Sequence, residues 1–184
     1  MIQTLRGLIC VACLAVAGHA TSVNAAVKAV SPQGFEVETS VSISAAPDKV
    51  YAAMTRIADW WSGAHTFGGQ ASNLTLDPHA GGCFCERTSG VEVRHMTVIF
   101  VEPGKILRLG GALGPLQGEG VSGALTLVIR PTPTGSVLVG NYVVGGYLRK
   151  GSDFWAGPVD SVLGQQIERL KRLAETGAAD PPGL

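Results

Sequence analysis

Glu86 and His95 are the two side chains of this chain best suited to moving a proton. Ser89-Gly90 reads as a two-residue hairpin turn. Around that turn Thr88 faces Val91, Arg87 faces Glu92, Glu86 faces Val93 and Phe84 faces His95. The opposite charges of Arg87 and Glu92 support the register. Glu86 and His95 then lie as diagonal neighbours on one face, with Val93, Thr97 and Ile99. Cys83, Cys85, Arg87, Glu92, Arg94 and Met96 take the other, more exposed face. A slip of one residue would dissolve the pair, because it exchanges the faces. Burial raises a carboxyl pKa and a neighbouring imidazolium lowers it. Such a pair acts as general acid and base, or it orients the polar group of a ligand. The plainer alternative has His95 serving a backbone carbonyl and Glu86 reaching solvent at the strand end.

Three tryptophans, Trp60, Trp61 and Trp155, are large apolar anchors with one N–H each. They line a ligand cavity or pack as ordinary core. Asn141 and Tyr142 lie on opposite faces of one strand, and either can be the inward one. The candidate ligand-binding set is therefore Trp60, Trp61, Glu86, His95 and Tyr142, with Glu86 and His95 as the candidate catalytic residues. His65, His79, Cys83 and Cys85 could offer nitrogen and sulfur to a metal, but their spacing matches no strong zinc pattern. No metal and no cofactor are expected. Cys83 and Cys85 are read as small apolar residues, since a bridge between them would need a strained turn. There is no G-x-S-x-G elbow. The glycine-rich stretch 110–123 lacks the Lys-Ser/Thr of a phosphate loop and reads as a cavity flap or a structural hairpin.

The elements that must position these groups follow from periodicity. Phe35, Val37, Thr39, Val41 and Ile43 alternate as a half-buried strand. Pro47 opens a short helical region that ends at Trp60-Trp61. Short strands follow at 74–76, 83–88, 91–101, 105–109, 124–130 and 136–147. Val159, Val162, Leu163, Ile167, Leu170 and Leu173 then make an amphipathic helix that ends before Gly177. Ser152 is its candidate N-cap, and Gly157-Pro158 is a candidate kink or start. The fold class is α+β, an antiparallel sheet whose apolar face is covered by the long C-terminal helix.

The chain has 184 residues and 14 basic against 14 acidic side chains. Zero net charge argues against a nucleic-acid partner, which requires a basic excess. Charged residues are only 15% and apolar ones 46%, which excludes long-range disorder. Arg6, the apolar run Leu8 to Ala17 and the small-x-small pattern Val23-Asn24-Ala25 read as a secretory signal. The run is too short for a good spanning helix, which takes ~20 apolar residues. The expected organisation is a signal at 1–25, a flexible lead at 26–34, one domain at 35–176 and a disordered tail at 177–184. The expected product is exported, periplasmic or secreted, with no stable membrane anchor after cleavage.

The stretch Ser42-Ile43-Ser44-Ala45-Ala46-Pro47-Asp48-Lys49-Val50-Tyr51-Ala52-Ala53-Met54-Thr55, followed by Trp60-Trp61, resembles the opening of the SRPBCC superfamily. Gly81-Gly82-Cys83-Phe84-Cys85-Glu86, Val101-Glu102-Pro103-Gly104-Lys105-Ile106-Leu107-Arg108-Leu109 and the final helix extend the resemblance over about 36–175. Its START-like members include polyketide cyclase/dehydrase-like and heat-shock-ATPase-activator-like branches. The resemblance implies a helix-grip fold, a curved antiparallel sheet around a long C-terminal helix, with two short helices after the first strand. It further implies a cavity for a hydrophobic or amphipathic small molecule, with at least one tryptophan near its mouth. The activator-like role is cytosolic, and the signal argues against it. Three readings stand: an exported small-molecule binder, a cyclase or dehydratase-type enzyme using Glu86 and His95, and an interaction protein with a filled core.

Overall fold

Alternating burial builds the centre of the sheet. The structure, a computed structural model, describes residues 24–181. Strand β2 (Gly34–Ile43) buries Phe35, Val37, Thr39, Val41 and Ile43 on one face. It pairs with β8 (Gly135–Tyr147), with Phe35 opposite Val144 and Ile43 opposite Ser136. Strand β8 pairs with β7 (Gly120–Thr132) along the full length of both. From β7 the sheet continues through β6 (Ile106–Gly110), β5 (Glu92–Glu102), β4 (Cys83–Arg87) and β3 (Leu74–Leu76). At the opposite edge lies β1 (Asn24–Ser31). All pairings are antiparallel, in the order β1-β2-β8-β7-β6-β5-β4-β3.

The inner face of this curved sheet needs a cover, and α3 (Ser152–Thr176) supplies it. Leu163, Ile167, Leu170 and Leu173 recur at helical spacing and are all buried. A methyl group at Gly140 of β8 would meet Leu127 at 3.2 Å and Ile167 at 3.3 Å. The bare backbone there lets the helix lie close on the sheet. Lys171 Nζ donates to the Ser42 carbonyl at 2.9 Å, and Glu175 accepts the Ser44 N–H at 2.7 Å. Both bonds tie the last turns of α3 to the end of β2. Two short helices, α1 (Pro47–Thr55) and α2 (Ile57–Trp60), close one end of the core. Pro47 and Asp48 suit the first turn of α1, where no intrahelical N–H partner is lost and a negative charge is favoured.

Several sequence expectations are corrected. Residues 26–34, expected as a flexible lead, belong largely to β1 and its hairpin with β2. Small residues and an exposed edge position hid the strand, whose Val27 and Val30 remain partly in solvent. Residues 177–181, expected as disordered tail, are tied back. Arg172 donates to the Ala179 carbonyl at 2.7 Å, Arg169 pairs with Asp180, and Ala179 is buried. Ser152 is the first helical residue rather than the cap, which is Gly151, and α3 runs on through Pro158. Gly177 ends the helix in the left-handed conformation. The proposed signal lies almost wholly outside the described residues. Among the described residues no helix is long and apolar enough to cross a membrane.

Leu170 is fully buried between α3 and the sheet. Leu170→Ala should cost about 2–5 kcal/mol of folding stability. Urea denaturation followed by circular dichroism measures it, and a loss below about 1 kcal/mol would contradict this packing.

Candidate functional site

The hairpin of β4 and β5 sets the chemistry. Its turn is closed by Thr88, whose hydroxyl accepts the N–H groups of Gly90 and Val91 at 3.2 and 2.9 Å. Arg87 faces Glu92, Glu86 faces Val93 and Cys85 faces Arg94, as the sequence predicts. Then the register shifts, and Phe84 faces Met96 rather than His95. His95 is the extra residue of a β-bulge. Both His95 and Met96 are therefore buried, while Ile99 is exposed. The expected faces of β5 are thus exchanged from Met96 to Ile99, while His95 keeps its expected inner face, which corrects the placements of Met96 and Ile99. Phe84 and His95 still touch, with ring centroids 4.9 Å apart.

Glu86 is completely buried. Its carboxylate accepts three N–H groups: Phe67 at 3.0 Å, Gly68 at 2.5 Å and His95 Nε2 at 3.0 Å. Gly68 is needed for that approach. A methyl group there would meet Thr88 at 2.6 Å, Asn73 at 2.8 Å and Glu86 at 3.0 Å. Burial alone would raise the Glu86 pKa, but the two backbone N–H groups and His95 together hold it below the usual value. Burial pushes the His95 imidazole below its usual pKa, and Glu86 only partly opposes this. The stable arrangement is a carboxylate beside a neutral imidazole. An ionised carboxylate only accepts hydrogen bonds, so Nε2 carries the ring proton and Nδ1 is left with a lone pair. That Nδ1 is buried and has no partner among the described residues.

The imidazole forms part of the wall of a cavity of about 270 Å³ between the sheet and α3. Trp61 and Phe67 contribute from the segment after α2. Leu113 and Leu116 come from the glycine-rich segment, and Tyr142 comes from β8. Trp155, Pro158 and Val162 line it from α3. The wall is overwhelmingly apolar.

Of the five sequence candidates, Trp61, His95 and Tyr142 stand on this wall, and Trp60 and Glu86 do not. Trp60 is packed in the core, with its Nε1 donating to the Met54 carbonyl at 3.1 Å. Glu86 sits behind His95 and holds it. Tyr142 is the inward member of its strand pair, while Asn141 donates to Glu36 at 2.6 Å. The Tyr142 hydroxyl donates to the Gly111 carbonyl at 3.1 Å and accepts the Leu113 N–H at 3.0 Å. Burial pushes its pKa up to about 12, with the Leu113 N–H working against the rise. Its polar atom thus fastens the 111–119 segment rather than facing a ligand.

That segment is no loose flap. A 3-10 turn spans Gly114–Gly118, Leu116 is buried, and Gly120 onward is strand. Arg149 adds a second fastening through Glu119 at 3.0 Å and the Gly118 carbonyl at 2.6 Å. The sequence candidates omit Phe67, Leu113, Leu116 and Val162. Their one signal was a large apolar side chain inside a glycine-rich stretch, or a helix position next to the core stripe.

Cys83 and Cys85 form a disulfide, contrary to expectation. Their Cα atoms are 5.4 Å apart, closer than the roughly 6.6 Å of extended strand and within bridging range. The contraction sits opposite the β5 bulge. His79 pairs with Asp77 at 2.6 Å, and His65 meets Gln165 at 3.4 Å. Among the described residues no three His, Cys, Asp or Glu side chains converge.

No family model and no curated protein matches this chain. Solved structures do. A protein of unknown function from Enterococcus faecalis aligns with a TM-score of 0.57 at 16% identity, over 90% of this chain and 82% of its own. One of unknown function from Staphylococcus aureus gives 0.56 at 14% identity, over 77% and 94%. A Mesorhizobium loti protein gives 0.53 at 21% identity, over 75% and 95%. The fold is helix-grip-like. At these identities the likeness concerns architecture alone.

Two measurements test the site. Unfolded His95 takes a proton near pH 6.5, while the folded imidazole resists it. Its contribution to stability is complete above about pH 6.5 and is lost as pH falls through the lower folded value. Glu86, also lowered, adds a further loss in the carboxylate range. Urea denaturation should show the wild type weakening from about pH 7.5 to about pH 5.5 more than His95→Gln does. Equal slopes would contradict the buried neutral imidazole. Tyr142→Phe leaves the Leu113 N–H unpaired and should cost about 1–3 kcal/mol. Hydrogen exchange should accelerate in 111–116 specifically, and unchanged exchange there would contradict the fastening role.

Proposed function

We propose that this protein is an exported member of the SRPBCC superfamily that holds a small hydrophobic or amphipathic molecule between its sheet and α3. The observation that carries the reading is the cavity of about 270 Å³, walled by aromatic and aliphatic side chains from five segments of the chain. Removing apolar ligand surface from water supplies ~25 cal/mol per Å². Few polar groups on the wall are free to compete for water. The helix-grip-like architecture and the motifs at 42–61, 81–86 and 101–109 support the superfamily assignment, and the export pattern favours its polyketide cyclase/dehydrase-like branch over the cytosolic activator-like one. The N-terminal pattern of Arg6, Leu8 to Ala17 and Val23-Asn24-Ala25 supports export to a periplasm or beyond.

The His95–Glu86 geometry favours a second reading, catalysis. A carboxylate fixes one imidazole nitrogen and leaves the other with a lone pair, an arrangement suited to a general base. A flexible polyketide-like chain held in the cavity would then be cyclised or dehydrated. Under that reading His95→Gln abolishes turnover and leaves binding nearly intact, whereas a carrier shows no turnover in either form. A filled-core interaction protein has the cavity against it.

Native mass spectrometry of protein purified gently from its host should reveal a retained small molecule. The emptied protein should bind an apolar fluorescent dye, and Val162→Trp, which fills the cavity from α3, should weaken the dye at least about tenfold. Dye binding that ignores Val162→Trp, or no binding at all, would overturn the reading.

A further inference from the structure

The Cys83–Cys85 bridge spans one residue, Phe84. A disulfide stabilises a fold mainly by closing a loop of the unfolded chain, and the effect shrinks with the loop. A loop this small constrains very little. The bridge is not what holds β4 in place either, because β3 and β5 pair with that strand on its two sides. It also opposes the strand's own spacing. The bridged Cα atoms are 5.4 Å apart, where extended strand holds such a pair roughly 6.6 Å apart. In the dithiol form the strand is free to resume that spacing. A bridge that is reachable and contributes little to the fold belongs with the labile disulfides rather than the structural ones.

The two sulfurs are not equivalent. Cys83 is half-buried and reachable, whereas Cys85 is only 5% exposed. Cys85 faces Arg94 across the ladder, and it lines one hollow together with Arg87, Glu92 and Arg94. Arg87 shares its charge with Glu92 at 4.0 Å, while Arg94 makes no ion pair among the described residues. A neighbouring cation favours the thiolate form of a cysteine, and a stabilised thiolate leaves faster in exchange. Access thus marks Cys83 as the sulfur to be attacked, and charge marks Cys85 as the one to leave.

We propose that Cys83 and Cys85 form a redox-active pair, a site of thiol–disulfide exchange with a small thiol. The thiolate of that thiol bonds to Cys83 Sγ as the bond between the two cysteine sulfurs breaks, and the electron pair leaves on Cys85. A second thiolate attacks the small-thiol sulfur of this mixed disulfide and releases the Cys83 thiolate. Two thiols become one disulfide, the bridge takes up two electrons, and the two protons shed by the thiols return to the two cysteines. The site lies apart from the cavity and does not depend on the ligand reading.

The test equilibrates the folded wild-type protein with reduced and oxidised glutathione at neutral pH. Samples are quenched in acid, alkylated with iodoacetamide and weighed by mass spectrometry. Reduced glutathione should convert the bridge to the dithiol while circular dichroism shows the fold unchanged. Brief exposure should place the glutathione adduct on Cys83. Arg94→Gln, at an exposed position, should slow the reduction at least about threefold at low salt. A bridge that glutathione leaves intact in the folded protein, or a fold that is lost on reduction, would make it a structural staple and overturn the proposal. An adduct on Cys85, or a rate indifferent to Arg94→Gln, would overturn the assignment of the attacked and leaving sulfurs.

Discussion

A single buried carboxylate organises one side of this molecule. Glu86 has no solvent, so it is tolerable only where N–H groups surround it. Phe67 and Gly68 bring two of those from the loop after α2, and His95 brings the third from the neighbouring strand. The same three bonds fix the loop, place Phe67 on the cavity wall and determine the proton position on the imidazole. Losing the carboxylate would release all three at once. The aromatic rings of Phe67 and Phe84 on either side of His95 keep water from replacing those bonds cheaply.

How much of this was legible in the sequence depends on the range of the interaction concerned. The alternation from Phe35 to Ile43 and the helical stripe from Leu163 to Leu173 report directly on burial, so β2 and α3 could be read residue by residue. The turn at Ser89-Gly90 set three correct pairs. The bulge at His95 was invisible, because one extra residue in a strand leaves no compositional trace and answers to packing across the sheet. The association of Glu86 with His95 survived because His95 keeps the face of Val93, and the bulge exchanges the faces only from Met96 on. Phe67 and the two leucines at 113 and 116 were hidden for a related reason. Glycine-rich stretches carry no periodicity; Leu113 and Leu116 are drawn inward beside the Tyr142 attachment, while Phe67, still half exposed, is brought to the wall by its bond to Glu86. Likewise β1, an edge strand of small residues, lacks the alternation that marks a strand with a buried face.

The bulge also explains the departure at the cysteines. Two residues of β5 oppose one of β4 at this point, and the ladder between the strands is locally disrupted. The Cys83–Cys85 bridge lies along β4 beside that disruption and spans a single intervening residue, Phe84. The Glu86–His95 pair and the covalent cross-link therefore meet within one hairpin, while the other half of the sheet, from β8 to β1, is regular apart from one edge bulge.

The cavity walls hang from the sheet by separate attachments. Glu86 holds the segment with Phe67, and Tyr142 with Arg149 holds the segment with Leu113 and Leu116. The polar character of the chamber is written in the first attachment and its outline largely in the second. Substitutions at 113 and 116 can thus reshape the chamber without disturbing the imidazole. A lineage built on this scaffold is free to change the bulk of the chamber while its buried carboxylate and imidazole stay as they are.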